Sequence, residues 1–303
     1  MLFLSIEGNI GSGKSTIIKK LKEQFGSEKR IQFLEEPVDA WMHIKDKNGL
    51  NMLEKYYADT KNYAFAFQMM AYISRISQIK NILSTTNADI IVSERSVHTD
   101  KHVFARMLYD SNLLEDVEYQ IYLNWFNEFI KDIPQSIVFY IQTDPNVAFD
   151  RVQLRARPGE TCDIDYLTKC HKYHNNWLIQ NPHNITLYEN DFTTPTNFKK
   201  VFENDLKYNK NKLAILQLNG NINIDETNNS YSIVLNALNA ILNTIDNKKN
   251  LIASKSEPIC ECQNNNILHQ NYYDNKLVSI GCCMAVTSLA VTSFAVIYTI
   301  IKN

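Results

Sequence analysis

Eight residues near the N-terminus constrain this chain more than any other stretch: Gly8-Asn9-Ile10-Gly11-Ser12-Gly13-Lys14-Ser15. The order glycine, four residues, glycine, lysine, hydroxyl residue is the spacing of a phosphate-binding P-loop. Gly8, Gly11 and Gly13 let the backbone wrap closely, so that successive N–H groups point at phosphate oxygens. Lys14 brings a positive charge between the β- and γ-phosphates, and Ser15 offers an oxygen to Mg²⁺. Thr16 follows at the start of a helix whose positive end faces the anion. The context fits. Residues 2–6 form an apolar run that reads as a buried strand, while Ile17, Ile18, Leu21 and Phe25 recur at helical spacing before Gly26. The loop implies ATP with Mg²⁺ and leaves the phosphate acceptor open.

Further apolar runs at 31–34, 90–92, 137–141 and 213–218 alternate with helical patterns, notably 64–83 and a final helix carrying Val234, Leu238, Ile241 and Ile245 on one face. That alternation predicts an α/β domain over 1–248, a five-stranded parallel sheet flanked by helices. Residues 181–211 fit no pattern and are read as a place for an insertion. The asparagine-rich 249–276 reads as a linker. A net charge of −2 gives no reason to expect a nucleic-acid polymer as partner. The six cysteines, Cys162, Cys170, Cys260, Cys262, Cys282 and Cys283, are not spaced as a disulfide scaffold, so a reducing compartment is expected. The P-loop begins so early that no leader is expected before it.

The C-terminal end differs in character. Residues 277–301 carry no charge and are flanked by Lys276 and Lys302. As a helix they would span about 37 Å, enough to cross a hydrocarbon core. The expectation is a single transmembrane anchor that leaves the main domain in the cytoplasm, and Cys282-Cys283 at its start are candidates for acylation. The competing reading is a buried terminal helix.

The acceptor side is set by Glu35-Glu36-Pro37-Val38-Asp39-Ala40-Trp41. Pro37 stops the second strand and leaves Glu36 at its C-terminal end, where ligands sit in open α/β sheets. A carboxylate there can take a proton from an attacking hydroxyl, and equally it can be a surface acid beside a core tryptophan. The third strand ends in Ser93-Glu94-Arg95-Ser96, and Arg151, Arg155 and Arg157 lie in a basic stretch before Pro158-Gly159.

Taken together with Leu53, Tyr56 and Tyr57, Phe67-Gln68 and Glu160, these motifs resemble the deoxynucleoside kinase family over most of residues 1–245. The resemblance implies transfer of the ATP γ-phosphate to the 5′-hydroxyl of a deoxynucleoside by a P-loop nucleoside-kinase fold, in a homodimer. Glu36 matches the family's general base, Arg95 the arginine beside the reacting oxygen, and Glu94 the acid that holds Mg²⁺ with Ser15. Arg151, Arg155 and Arg157 match a lid over the phosphates. Glu160 matches the group that binds the sugar 3′-hydroxyl together with Tyr57. Where the family often has two acids, this chain has Gly159-Glu160, a change expected to affect the lid more than the chemistry. Trp41, Leu53, Phe67 and Phe104 match the packing around the base, with Gln68 on its edge. Arg75 and Asp100 match the deoxycytidine/deoxyguanosine branch and favour a base with an exocyclic amino group over thymine. Without the family an Arg–Asp pair reads simply as a structural ion pair. Asn219-Gly220-Asn221 falls where the family places its adenine-contacting loop. Two other classes compete: a nucleoside monophosphate kinase, disfavoured by Glu94-Arg95-Ser96, and a catalytically inert membrane-bound nucleotide binder, disfavoured because Lys14, Glu36, Arg95 and the lid arginines are all intact.

Overall fold

The computed structural model describes residues 1–133, 137–157, 159–192, 213–224 and 229–256. β1 (Leu2–Gly8) leads through the glycine loop into α1 (Lys14–Phe25), then β2 (Ile31–Leu34) and α2 (Val38–His43). The helices α3 (Met52–Ala58) and α4 (Thr60–Thr85) precede β3 (Ile90–Glu94). A short α5 (Val97–Thr99) runs through the π-helical turn Asp100–Ala105 into α6 (Arg106–Asp110), followed by α7 (Asp116–Phe129). The rest is β4 (Ile137–Gln142), α8 (Pro145–Arg155), α9 (Ile164–Leu178), β5 (Ile185–Leu187), β6 (Ala214–Asn219) and α10 (Ser230–Ser256). Local sequence explains several boundaries. Asn51 and Glu54 close a reciprocal capping box on α3, Asp163 caps α9, and Asp144 caps α8 with Pro145 in its first turn.

The six strands pair in the order β2-β3-β1-β4-β6-β5, every pair parallel. β1 is buried along its whole length, and its alternate side chains feed different cores. Leu2, Leu4 and Ile6 join Ile18 of α1 and Leu238 and Ile241 of α10, while Phe3 joins Tyr72 and Ile76 of α4 and Tyr122 and Phe126 of α7. The chain order reverses beside β1, whose neighbours are β3 and β4. The crevice at the carboxyl ends of these strands is therefore where a ligand belongs.

The sheet has six strands, not five. The run at 213–218 is the sixth in chain order, and the extra edge strand Ile185–Leu187 comes from the stretch read as an insertion. It is three residues long with only Leu187 buried, too short to show a strand period. Of the stretch expected to be a linker, residues 249–256 belong to α10, and 257–276 lie outside the described residues. Met1–Ser254 forms one compact unit, and nearly all of the other, Lys255–Asn303, lies outside the described residues. So do residues 277–301, Cys260, Cys262, Cys282, Cys283 and Pro158. Among the described residues no helix is long and apolar enough to cross a membrane.

Candidate active site

The P-loop packs against α8 and α9. A side chain at Gly11 would place its Cβ 2.3 Å from the carbonyl oxygen of Ala148, and Gly13, at φ +93°, turns the chain into α1 in a conformation that favours glycine. Asn9 Nδ2 donates to the carbonyl of Leu167 at 2.8 Å, tying the loop to α9. Lys14 is buried and donates to the carbonyl of Asn9 at 2.7 Å. Burial, reinforced by Arg95, lowers its pKa to about 7, against the opposing pull of Glu94 and Glu36. Ser15 Oγ donates to Glu94 Oε1 at 2.7 Å, so two oxygens from different elements converge at the mouth of the loop.

The end of β3 is the most constrained backbone in the site. Arg95 sits at φ 62°, a conformation that costs of order 1–3 kcal/mol for such a residue. Its neighbours hold it there. Arg95 N donates to the carbonyl of Ile6 at 3.0 Å, and Ser93 Oγ donates to the carbonyl of Arg95 at 2.7 Å. The buried carboxylate of Glu7 accepts from Ser96 N at 2.8 Å and from the Thr99 hydroxyl. The side chain of Arg95 then points back over the loop. One Nη1 donates to the carbonyl of Gly8 at 2.8 Å, and the guanidinium lies 5.1 Å from the ring centre of Phe104. Its Nε lies 3.3 Å from Glu36 Oε1 yet makes no hydrogen bond within the protein.

Glu36 faces this nitrogen from the end of β2. Arg75 of α4 donates to its Oε1 at 2.8 Å, to Asp100 Oδ2 at 3.0 Å and to the carbonyl of Glu94 at 3.1 Å. One buried cation therefore ties together three elements. Burial works to raise the Glu36 pKa, but Arg95, Arg75 and Lys14 outweigh it and hold the carboxyl at about 2. Asp100 shares the same cation and is more deeply buried; burial pushes it up to about 6 against Arg75. The π-helical turn brings Asp100 and Phe104 onto the same cavity, the usual setting of such turns at functional sites.

Around them is a cavity of about 390 Å³. Gly11, Gly13, Lys14, Ser15, Thr16, Arg151, Arg155 and Arg157 line it, with Glu94 beside the loop. Glu36, Trp41, Leu53, Tyr57, Phe67, Gln68, Arg75, Arg95, Asp100, Phe104 and Glu160 complete it. Gln68 is buried, and its Oε1 has no donor within the protein. Phe67 stacks on Tyr56 at 4.4 Å and meets Trp41 edge-on. Gly8 is the predicted residue that does not line the cavity. It supplies the carbonyl held by Arg95 and lets β4 approach, since a Cβ there would lie 2.7 Å from the carbonyl of Ile141.

Three contacts add to the expected ones. Tyr57 OH pairs with Cys162 Sγ at 3.1 Å, while Glu160 pairs with Arg155 and Arg157. Arg151 lines the cavity with the other two arginines and also donates to the carbonyl of Gly220 at 2.7 Å and reaches Asn223 Oδ1. It thereby borders a second cavity, about 150 Å³, lined by Ser12, Gly13, Thr16, Gly220, Ile222, Asn223, Ile224 and Tyr231. Gly159, at φ +77°, lies so close to α3 that a Cβ would come 2.7 Å from Glu54 Cγ. This glycine lets the turn after α8 rest on the helix that carries Tyr57.

Sequence reasoning gave no site role to Ile10, Val38 and Tyr56, which it met only as parts of motifs, and missed Ala71 and Tyr166 in the wall and Glu7 and His174 behind it. Glu7 had a signal, an acid inside an apolar strand. His174 had none beyond its helical spacing.

Comparison with known proteins identifies the family. The family model described as deoxynucleoside kinase matches residues 4–243. The chain is 33% identical over 238 residues to a probable deoxycytidine kinase of fowlpox virus (strain NVSL), covering 77% of this chain and 85% of that one. It is 31% identical over 197 residues to the deoxycytidine kinase of Homo sapiens (58% and 75%), and 29% identical over 224 residues to the mitochondrial deoxyguanosine kinase of Xenopus laevis (67% and 83%). The chain belongs to the deoxynucleoside kinase family, phosphotransferases that take their phosphate from ATP.

Proposed function

We propose that the large cavity holds a deoxynucleoside with its 5′-hydroxyl between Glu36 and Arg95, and that the γ-phosphate of ATP on the P-loop is transferred to it. The observation that carries this reading is the shared cavity: Glu36, Arg95 and Lys14 all line it, with a charge-paired but still accessible carboxylate opposite the phosphate loop. Held at about 2, Glu36 is ionised but a weak base. Phosphoryl transfer through a loose transition state tolerates this, because the hydroxyl needs orienting first and gives up its proton late. The Nε of Arg95, which makes no hydrogen bond within the protein, is placed to donate to the reacting or transferring oxygen. Lys14, Arg155 and Arg157 offset charge on the phosphates. Ser15 Oγ and Glu94 Oε1 form an oxygen donor pair that suits Mg²⁺, which when bound neutralises phosphate charge.

Asp100 and Gln68 Oε1 both present acceptors to the base. That favours deoxycytidine or a deoxypurine, with an exocyclic amino group, over thymidine. The printed names of the relatives, deoxycytidine and deoxyguanosine kinases, point the same way. The second cavity beside Gly220–Ile224 suits the adenine of ATP. On α7, Val117, Ile121 and Trp125 are exposed at i, i+4 and i+8, and Ile73 of α4 is exposed as well. This apolar stripe supports a homodimer. The charge-free run 277–301 supports a membrane anchor.

Steady-state kinetics with labelled ATP on the four deoxynucleosides test the reading. The expected result is a kcat/KM for deoxycytidine or a deoxypurine at least about tenfold above thymidine. A preference for thymidine overturns the base assignment. Transfer only to nucleoside monophosphates, or to none, overturns the acceptor.

A further inference from the structure

His174 of α9 is fully buried behind the site and has no part in the scheme above. Its Nδ1 lies 2.7 Å from the carbonyl oxygen of Cys170. A carbonyl only accepts, so Nδ1 carries the proton and Nε2 carries a lone pair. That lone pair faces Nη1 of Arg95 at 3.5 Å, the same nitrogen that donates to the carbonyl of Gly8. The imidazole plane is fixed by Tyr140, whose ring lies parallel to it at 6.0 Å and whose hydroxyl is anchored on Asn175 Oδ1. Burial, with the charge of Arg95, keeps the imidazole neutral by driving its pKa well below 6.5.

We propose that His174 is a positioning residue for Arg95: its Nε2, with the carbonyl of Gly8, holds Nη1 so that Nε faces the reacting oxygen. The inference rests on the reading in which Arg95 and Glu36 flank the substrate hydroxyl. The need for such a clamp follows from the charges present. Arg95 is buried near Lys14 and shares Glu36 with Arg75. With Nη1 loosely held, the guanidinium would swing into a direct, aligned hydrogen bond with Glu36, and the carboxylate would lose the lone pair it needs for the hydroxyl. Held by two acceptors on the far side, Arg95 stays 3.3 Å away and unaligned. A 3.5 Å contact is weak in itself. Between two buried groups it decides direction rather than affinity.

Two substitutions separate positioning from packing. In His174→Asn the amide nitrogen still reaches the carbonyl of Cys170, but nothing reaches Arg95. In His174→Gln the side-chain oxygen reaches Arg95 and the Cys170 bond is lost. The expected result is a kcat about 10- to 100-fold lower for Asn, with both KM values little changed, and near-normal kcat for Gln. In an Arg95→Lys background the Asn change should cost nothing further. Thermal unfolding of each variant corrects for loss of folded protein. Equal kcat for wild type and Asn, an equal loss for Asn and Gln, or additive losses with Arg95→Lys would overturn the proposal. Nitrogen-15 spectra of labelled histidine give a readout free of activity: an unprotonated Nε2 whose resonance moves on Arg95→Lys is expected, and an unmoved one refutes the pairing. If wild type itself transfers no phosphate, the functional reading falls, and the spectra still decide this one.

Discussion

The phosphate loop and the wall that faces it solve the same problem, holding charge out of water, by different means. The loop does it with consecutive residues. Its anion site is backbone N–H, its shape is set by Gly11 and Gly13, and its one buried cation, Lys14, rests on the carbonyl of Asn9, five residues away. The facing wall draws Glu36 from the end of β2, Gln68 and Arg75 from α4, Arg95 from the end of β3 and Asp100 from the π-helical turn. Here buried side chains neutralise each other, with Arg75 serving two carboxylates. A backbone site tolerates an empty state because its donors stay fixed. A side-chain site works only while every partner is present, so damage to it should spread.

The largest expected effect tests that contrast at its catalytic point. Glu36→Gln should lower kcat by about 10²–10⁴-fold while ATP still binds, since the loop is built independently. Single-turnover transfer and ATP titration measure the two halves; unchanged turnover would remove Glu36 from the chemistry. Next is Arg75→Leu. It strands the Glu36 and Asp100 carboxylates in the interior and should cost about 3–5 kcal/mol of stability in denaturant unfolding. A loss below about 1 kcal/mol would show that the wall is not an interdependent cluster.

The pH profile sharpens the comparison further, because the two regions titrate in opposite senses. Asp100, raised to about 6, protonates as pH falls, losing its charge and placing a hydroxyl donor where the base needs an acceptor. The kcat/KM for deoxycytidine should fall about tenfold per pH unit below 6, and Asp100→Asn should abolish that limb. Lys14, lowered to about 7 in the ligand-free loop, loses its charge as pH rises. The kcat/KM for ATP should therefore decline above 7, while kcat at saturating ATP, with the phosphates holding Lys14 protonated, should not. A shared limb for both substrates would contradict the division.

The same contrast explains what could be read in advance. The loop was legible because its function is contiguous: glycine spacing, strand and helix are all visible in Leu2 to Phe25. Two of the wall's residues, Glu36 and Arg95, could be named from motifs at strand ends, where Pro37 and the charged turn after β3 mark the crevice, while Gln68, Arg75 and Asp100 stood out through the family resemblance. The pairing of Arg75 with Asp100 could be named with them, but its second bond, to Glu36, could not, because α4 brings Arg75 to the end of β2 only in the folded chain. The same holds for His174, which reaches Arg95 from a helix 79 residues away. Tyr57 and Glu160, expected to bind the sugar 3′-hydroxyl together, both line the cavity, but their present partners, Cys162 for the tyrosine and the two arginines for the acid, were not legible. β5 escaped notice because three residues cannot display a period.

A compound joining a deoxynucleoside to adenosine through a 5′–5′ phosphate chain tests most directly whether the two regions form one active site. It spans both, so the account predicts binding at least about 10²-fold tighter than ATP or deoxynucleoside alone, with competition against each. Binding no tighter than ATP, or competition with only one substrate, would show that the loop and the Glu36 wall do not face each other across a single reacting gap.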